Sequence, residues 1–252
     1  KRQNDVDENL VRHMVLNSLR LYRKQFSDEY GELVLCYDNK TNWRREYFPN
    51  YKHGRRKDRK ASKLDWGSIF DTLHLIKQEL QDNFPYKVLE VENAEADDII
   101  ASVVSYVAQA PSHYEKVLIV SGDKDFIQLQ KHSFVTQYSP TLKKFVNGID
   151  PHAYIKEHIL KGDRSDGVPN FLSPDNCFVD EMRQRPISKK KMATWIDLEP
   201  EDFCNEEMLR NYQRNRTLID LEYAPDEINN ACVQAYLTVS YTHLRAHETA
   251  QY

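Results

Sequence analysis

Six acidic side chains stand in three groups, and each group follows a short run of β-favouring residues. Asp38 follows residues 33–37, Glu95, Asp97 and Asp98 follow 87–91, and Asp123 and Asp125 follow 116–120. Carboxylates gathered at neutral pH repel one another, and hard cations such as Mg²⁺ or Mn²⁺ relieve that repulsion while taking oxygen ligands. Two such ions several ångströms apart can activate a water, hold a phosphodiester and stabilise a leaving oxygen. The four cysteines, Cys36, Cys177, Cys204 and Cys232, form no C-x-x-C pair, and no Cys or His cluster accompanies the acids, which disfavours zinc. Each group has a blander reading: Glu95, Asp97 and Asp98 suit any helix N-terminus, and Asp38-Asn39 and Asp123-Lys-Asp125 suit turns. Their joint placement, each after a strand, favours a shared metal site.

The elements that must position these groups are legible in the apolar periods. Val11, Val15, Leu19 and Tyr22 predict a helix over about 9–26, and residues 33–37 predict a buried strand. Phe70, Leu73, Ile76 and Leu80 predict a helix that stops before Pro85. A strand over 87–91 follows, then a helix capped by Asn93 and carrying Ile99, Ile100, Val103, Val104 and Val107, then a strand over 116–120. This alternation predicts an α/β fold with a mostly parallel twisted sheet, helices on both faces, and ligands at the carboxyl ends of the strands. From about residue 150 the pattern becomes helical, with breaks at Pro169, Pro174, Pro186, Pro200 and Pro225. The expected organisation is a core over 1–160, a helical part over 161–238, and a non-periodic tail of foreign character over 239–252.

The formal net charge of -4 hides a strong asymmetry, since nine Lys or Arg and two acids between Arg44 and Lys63 give that window +7. Arg44, Arg45, Lys52, Arg55, Arg56, Lys57 and Arg59 interleave there with Tyr47, Phe48 and Tyr51, a mixture suited to following phosphates and stacking unpaired bases. Lys189 and Lys190 are candidates for gripping duplex phosphates, against the plainer reading of solvated lysines. No apolar run approaches bilayer length and no signal-peptide core is present, so no membrane and a reducing cytoplasm are expected.

Glu95-Ala-Asp-Asp98, Ser121-Gly-Asp-Lys-Asp125 and Lys161-Gly-Asp-Arg-Ser-Asp-Gly-Val-Pro169 resemble the successive acidic motifs of the flap endonuclease and 5′-3′ exonuclease family. The likeness is strongest to its T-even bacteriophage ribonuclease H branch, through residues 11–18, 34–39, Trp43-Arg-Arg45 and Leu218-Ile-Asp220. The resemblance implies a 5′-nuclease fold with a helix-three-turn-helix-like part. It also implies metal ligation by Asp38, Glu95, Asp97, Asp123, Asp125, Asp163 and Asp166, with Asp98 a weaker candidate. Two Mg²⁺ ions, replaceable by Mn²⁺, are then the expected cofactors. Tyr51-Lys-His-Gly-Arg55 looks like part of the family's arch, here about 41–65, which implies that Lys52 and Arg55 act on the scissile phosphate. Implied substrates are DNA, RNA–DNA hybrids and 5′ flaps, cut by a monomer during phage replication in an infected bacterium. A single-stranded DNA-binding protein or sliding clamp is the implied partner. The family's opening strand carries a further Asp, and no counterpart precedes residue 9, so one ligand and one core strand are expected to be absent. The family's Gly-x-Gly-Ile-Gly hairpin is replaced by Asn170-Phe-Leu-Ser-Pro-Asp-Asn-Cys177, which leaves a monovalent-cation site unsupported. The rival readings are a PIN-type single-strand endoribonuclease and a flap-binding fragment impaired in catalysis.

Overall fold

A computed structural model of the chain describes residues 7–109 and 115–239, the side chains of Arg56 and Asp58 excepted. The predicted tail, Val239 apart, lies outside the described residues. Helix α1 (Glu8–Tyr30) begins where the Asp7 carboxylate accepts from Leu10 N at 3.1 Å and ends at Gly31, whose φ of 77° favours glycine. Strand β1 (Val34–Tyr37), expected to be buried, is half-buried, with Val34 exposed. The basic segment forms two short helices, α2 (Trp43–Tyr47) and α3 (His53–Ala61), followed by α4 (Trp66–Asn83), which Asp65 caps. Strand β2 (Lys87–Glu90) and helix α5 (Ala96–Gln109) follow. Asn93 does not cap α5. It sits in the left-handed region at φ 61°, and its carbonyl accepts from Trp43 N at 3.0 Å, tying the β2–α5 loop to α2.

The α/β class stands, but the predicted single, mostly parallel sheet is replaced by two small ones. β1 pairs in parallel with β2, Val34 opposite Lys87. β3 (Val117–Val120) pairs in parallel with β4 (Val135–Ser139), which pairs antiparallel with β5 (Lys144–Val146). A short 3-10 helix (Lys124–Lys131) carries the chain from β3 to β4. The link from β4 to β5 is too short for a crossover, so β5 can only return antiparallel. Sequence periodicity misses β4 because buried Gln137 and Ser139 interrupt its apolar pattern.

Beyond β5 the chain is helical: α6 (Pro151–Lys161), α7 (Lys189–Ile196), α8 (Pro200–Phe203), α9 (Glu206–Ile219) and α10 (Asp226–Thr238). Trp43, Leu89, Ile99, Ile228 and Cys232 join α2, β2, α5 and α10 in one core cluster. Ala101, Val104, Ile119, Phe126 and Val135 pack α5 against β3, the 3-10 helix and β4. A third cluster, Phe48, Tyr51, Val168, Leu218 and Ile219, ties the basic segment to the turn after α6 and to α9. That turn starts at Gly162, φ 69°, where a Cβ would stand 2.4 Å from the Val168 carbonyl oxygen, so no side chain is accommodated. No helix among the described residues is long and apolar enough to cross a membrane.

Candidate active site

Three chain segments bring their acids to one cleft, lined by Asp97, Asp125, Asp163 and Asp166 with Tyr51 and Arg44. Asp38, at the end of β1, is exposed and accepts from Ala96 N at 2.9 Å, the first residue of α5. Glu95 precedes that helix and is buried, accepting from the Tyr51 hydroxyl at 2.9 Å and from the Lys52 ammonium. Asp97 opens the helix on the cleft side, whereas Asp98 turns inward and has no exposed surface. Its carboxylate accepts from Trp43 Nε1 at 3.2 Å and from Glu95 N at 2.9 Å, and pairs with Arg44 at 2.8 Å. The expectation of Asp98 as a ligand is therefore corrected: it is committed to fixing the start of α5.

Arg44 is corrected in the same way. Expected on nucleic acid, it is 2% exposed, donating to Asp98 Oδ2 at 2.9 Å, Glu95 at 3.3 Å and the Leu218 carbonyl at 3.0 Å. A guanidinium so enclosed has no face for a phosphate. Tyr51, expected to contact bases, is also buried, and its hydroxyl bridges Glu95 and Asp166, the latter at 2.8 Å.

Asp123 caps the 3-10 helix, accepting from Asp125 N at 3.0 Å. The loop that carries it is held from below by Gln137 of β4, which is 1% exposed. The Gln137 amide nitrogen donates to the carbonyls of Ser121 at 3.0 Å and Asp123 at 2.6 Å, while its oxygen accepts from Gln130. In the turn after α6, Asp163 accepts from Ser165 N and Oγ, both at 2.7 Å, which folds the turn so that Asp166 meets Arg55 at 2.6 Å. His158 of α6 stands between two of the acids, Nδ1 3.4 Å from Asp125 and Nε2 3.7 Å from Asp163. The sequence reading, which found no Cys or His cluster beside the acids, did not single out His158. Its only signal was position, one helical turn before Gly162-Asp163.

The cleft concentrates negative charge in a half-buried setting. Burial, with Glu95, Asp123 and Asp38 nearby, pushes the Asp97 carboxyl up to about 7. Burial, with Asp123, Asp163 and Asp166 nearby, pushes Asp125 up to about 6 against the pull of His158. Burial would also raise Glu95, but Lys52 and Arg44 outweigh it and hold that carboxyl below its usual value. Asp125, His158 and Asp163 each present one ligand atom, all within 4.8 Å of one another. This donor set fits a divalent cation, and the repulsion at Asp97 is of the kind a cation relieves.

A pH dependence follows. Asp97 titrates from 3.8 when free of its surroundings to about 7 in the fold, so between those values the metal-free fold holds more protons than the unfolded chain. The contribution of Asp97 to stability must then fall as pH rises across that window and level off above it. Mg²⁺ replaces the proton, so saturating Mg²⁺ should raise Tm more at pH 7.5 than at pH 5. Thermal denaturation with and without the ion checks this, and an equal Mg²⁺ effect at the two pH values would contradict it.

The remaining predicted contacts are distributed unevenly. Lys52 adopts a left-handed backbone (φ 54°), its N–H donating to the Asp166 carbonyl at 2.7 Å while its side chain reaches Glu95. Such strain at a non-glycine residue needs surrounding contacts to hold it. Arg45 and Tyr47 are exposed, Lys57 pairs with Glu181 at 2.7 Å, and the Arg59 guanidinium lies over the rings of Phe70 and Trp66. The Arg56 side chain falls outside what is described. Lys189 and Lys190 begin α7, and Lys189 lines a separate groove of about 660 Å³ with Lys161, Arg185 and Met192.

Residues 2–159 match the model of the 5′-3′ exonuclease N-terminal resolvase-like domain, and residues 150–245 match that of the T4 RNase H C-terminal region. Ribonuclease H of Enterobacteria phage T4 is 35% identical over 241 residues, covering 92% of this chain and 78% of that protein. Flap endonuclease Xni of Shewanella oneidensis is 31% identical over 141 residues, 53% of this chain and 49% of its own. Among solved structures, the bacteriophage T5 flap endonuclease in a pseudo-enzyme–product complex with DNA and metal ions shares the fold. Its TM-score is 0.57 at 19% identity, with 89% of this chain and 83% of that one covered. A solved T5 5′-exonuclease with bound zinc ions gives 0.56 at 17% identity, covering 88% and 90%. With family models spanning nearly its whole length and a relative similar over almost all of it, the chain belongs to the 5′-3′ exonuclease and flap endonuclease family.

Proposed function

We propose that this protein hydrolyses phosphodiesters near 5′ ends, removing RNA primers and 5′ flaps in phage DNA replication. The observation that carries this reading is the cleft itself, in which carboxylates from three segments gather beside Lys52 and Arg55. Asp38, Glu95, Asp97, Asp123, Asp125, Asp163 and Asp166 would hold two Mg²⁺ ions, which supply an activated water and positive charge for the leaving oxygen. The protein's own cations do the rest. Lys52 and Arg55 rest on Glu95 and Asp166, and a side-chain swing from those carboxylates transfers their charge to a phosphate entering the cleft. Tyr51 holds Glu95 and Asp166 at a fixed separation while that exchange occurs. In this reading residues up to about 160, joined by Asp163 and Asp166 of the turn that follows, cut, and the rest of 161–238, with Lys189 and Lys190, holds duplex.

The test is Mg²⁺-dependent release of product from a 5′-labelled flap duplex and from an RNA–DNA hybrid. Product ending at the flap junction, abolished by chelator, is expected. A folded protein that instead cuts unstructured RNA internally would move the assignment to a PIN-type ribonuclease, and one that binds flaps without cutting them would move it to a binding module.

A further inference from the structure

We infer that His158 is a metal ligand, and that it makes the Asp125–Asp163 side of the cleft a mixed nitrogen–oxygen site for late first-row divalent ions such as Co²⁺ or Zn²⁺. The inference rests on the metal-centre reading above and goes further by assigning the ion class and the ligand that selects it. Asp125 comes from the 3-10 helix, His158 from α6 and Asp163 from the following turn, so three segments converge on one point. The ring nitrogens stand 3.4 Å and 3.7 Å from the two carboxylates, beyond the N–H···O optimum of about 2.9 Å. Only one ring nitrogen can meet the ion, and either distance is close to the roughly 3.4 Å that two ligand atoms keep when each lies about 2.1 Å from a shared tetrahedral ion. One ring nitrogen and one oxygen from each carboxylate lie within 4.8 Å of one another, and the second ring nitrogen then faces a carboxylate, the arrangement that orients metal-bound imidazole.

The ring is held for this role. Tyr154, one turn earlier on α6, meets it edge-on with centroids 5.7 Å apart, and the next carbonyl, of Ile159, accepts from buried Asn215 at 2.8 Å. Mg²⁺ keeps oxygen ligands and water and gains little from an imidazole, whereas Co²⁺ and Zn²⁺ bind it well. The largest charges acting on Asp97, by contrast, are the carboxylates Glu95, Asp123 and Asp38 and the Lys52 ammonium. The imidazole therefore distinguishes the Asp125–Asp163 side of the cleft.

Two measurements test this. On loading the intact chain with Co²⁺, the proton NMR spectrum should gain a paramagnetically shifted, exchangeable imidazole N–H signal that His158→Gln removes. By calorimetry, the same substitution should weaken Co²⁺ binding by at least about tenfold and Mg²⁺ binding by less than about threefold. General damage to the fold would weaken both ions alike, so an equal loss overturns the assignment, as does absence of the shifted signal in the unaltered chain. Mg²⁺ binding without any such signal sinks the histidine assignment alone. Failure of the chain to bind either ion sinks the metal-centre reading beneath it.

Discussion

Asp97→Asn is expected to lower the rate of flap cleavage by on the order of 10²–10³-fold or more, with duplex affinity nearly unchanged. Asp97 faces the cleft from the first turn of α5, amid Glu95, Asp123 and Asp38, and its carboxyl is pushed up to about 7 by burial and those charges. Asparagine keeps the volume and one oxygen but supplies no charge for a cation. The variant also carries its own control against misfolding. Removing a carboxyl that burial and like charges disfavour should raise the metal-free Tm at pH 7.5, so an inactive variant that melts higher than its parent has lost chemistry rather than structure. Cleavage within tenfold of the parent, measured on a 5′-labelled flap at saturating Mg²⁺, would falsify a central role for this carboxylate.

The second large effect is structural and is expected at Arg44. Replacing it by methionine leaves Asp98, with no exposed surface, and Glu95, 5% exposed, short of the guanidinium that pairs with both. Removing one partner of a buried ion pair costs about 3–5 kcal/mol, because the remaining charge is stranded. For a chain of this size that corresponds to a fall in Tm of roughly 6–20 °C, taking about 2–4 °C per kcal/mol. Arg44→Met/Asp98→Leu should recover much of the loss, since the stranded charge goes with its partner. Thermal denaturation of the two variants checks this. A single variant melting within about 2 °C of the parent would mean that the network is not what anchors α5.

Much of the secondary structure was legible because it is local. The β-branched run of β3 and the apolar face of α5 report their own element, and so does the stripe of α4, of which Ile76 and Leu80 are buried while Phe70 and Leu73 are exposed. The α/β class followed from the order of these elements, and the acids at the ends of β1 and β3 and before α5 marked where to look. What escaped the sequence depended on partners distant in the chain. Gln137 reads as an ordinary polar residue in a weak strand until the Ser121 and Asp123 carbonyls arrive above it. Arg44 and Tyr51 belong by composition to the basic, aromatic segment, and only the packing of α2 against α5 and the end of α9 shows them turned inward.

By itself, then, the sequence determined the elements and the stock of carboxylates and cations, since periodicity and residue type are properties of short stretches of chain. Tertiary structure alone decided which of those groups face the cleft and which neutralise one another beneath it. Adjacent residues such as Asp97 and Asp98 are chemically identical, but they point about 100° apart around a helix. One therefore meets other carboxylates in the cleft and the other a buried guanidinium.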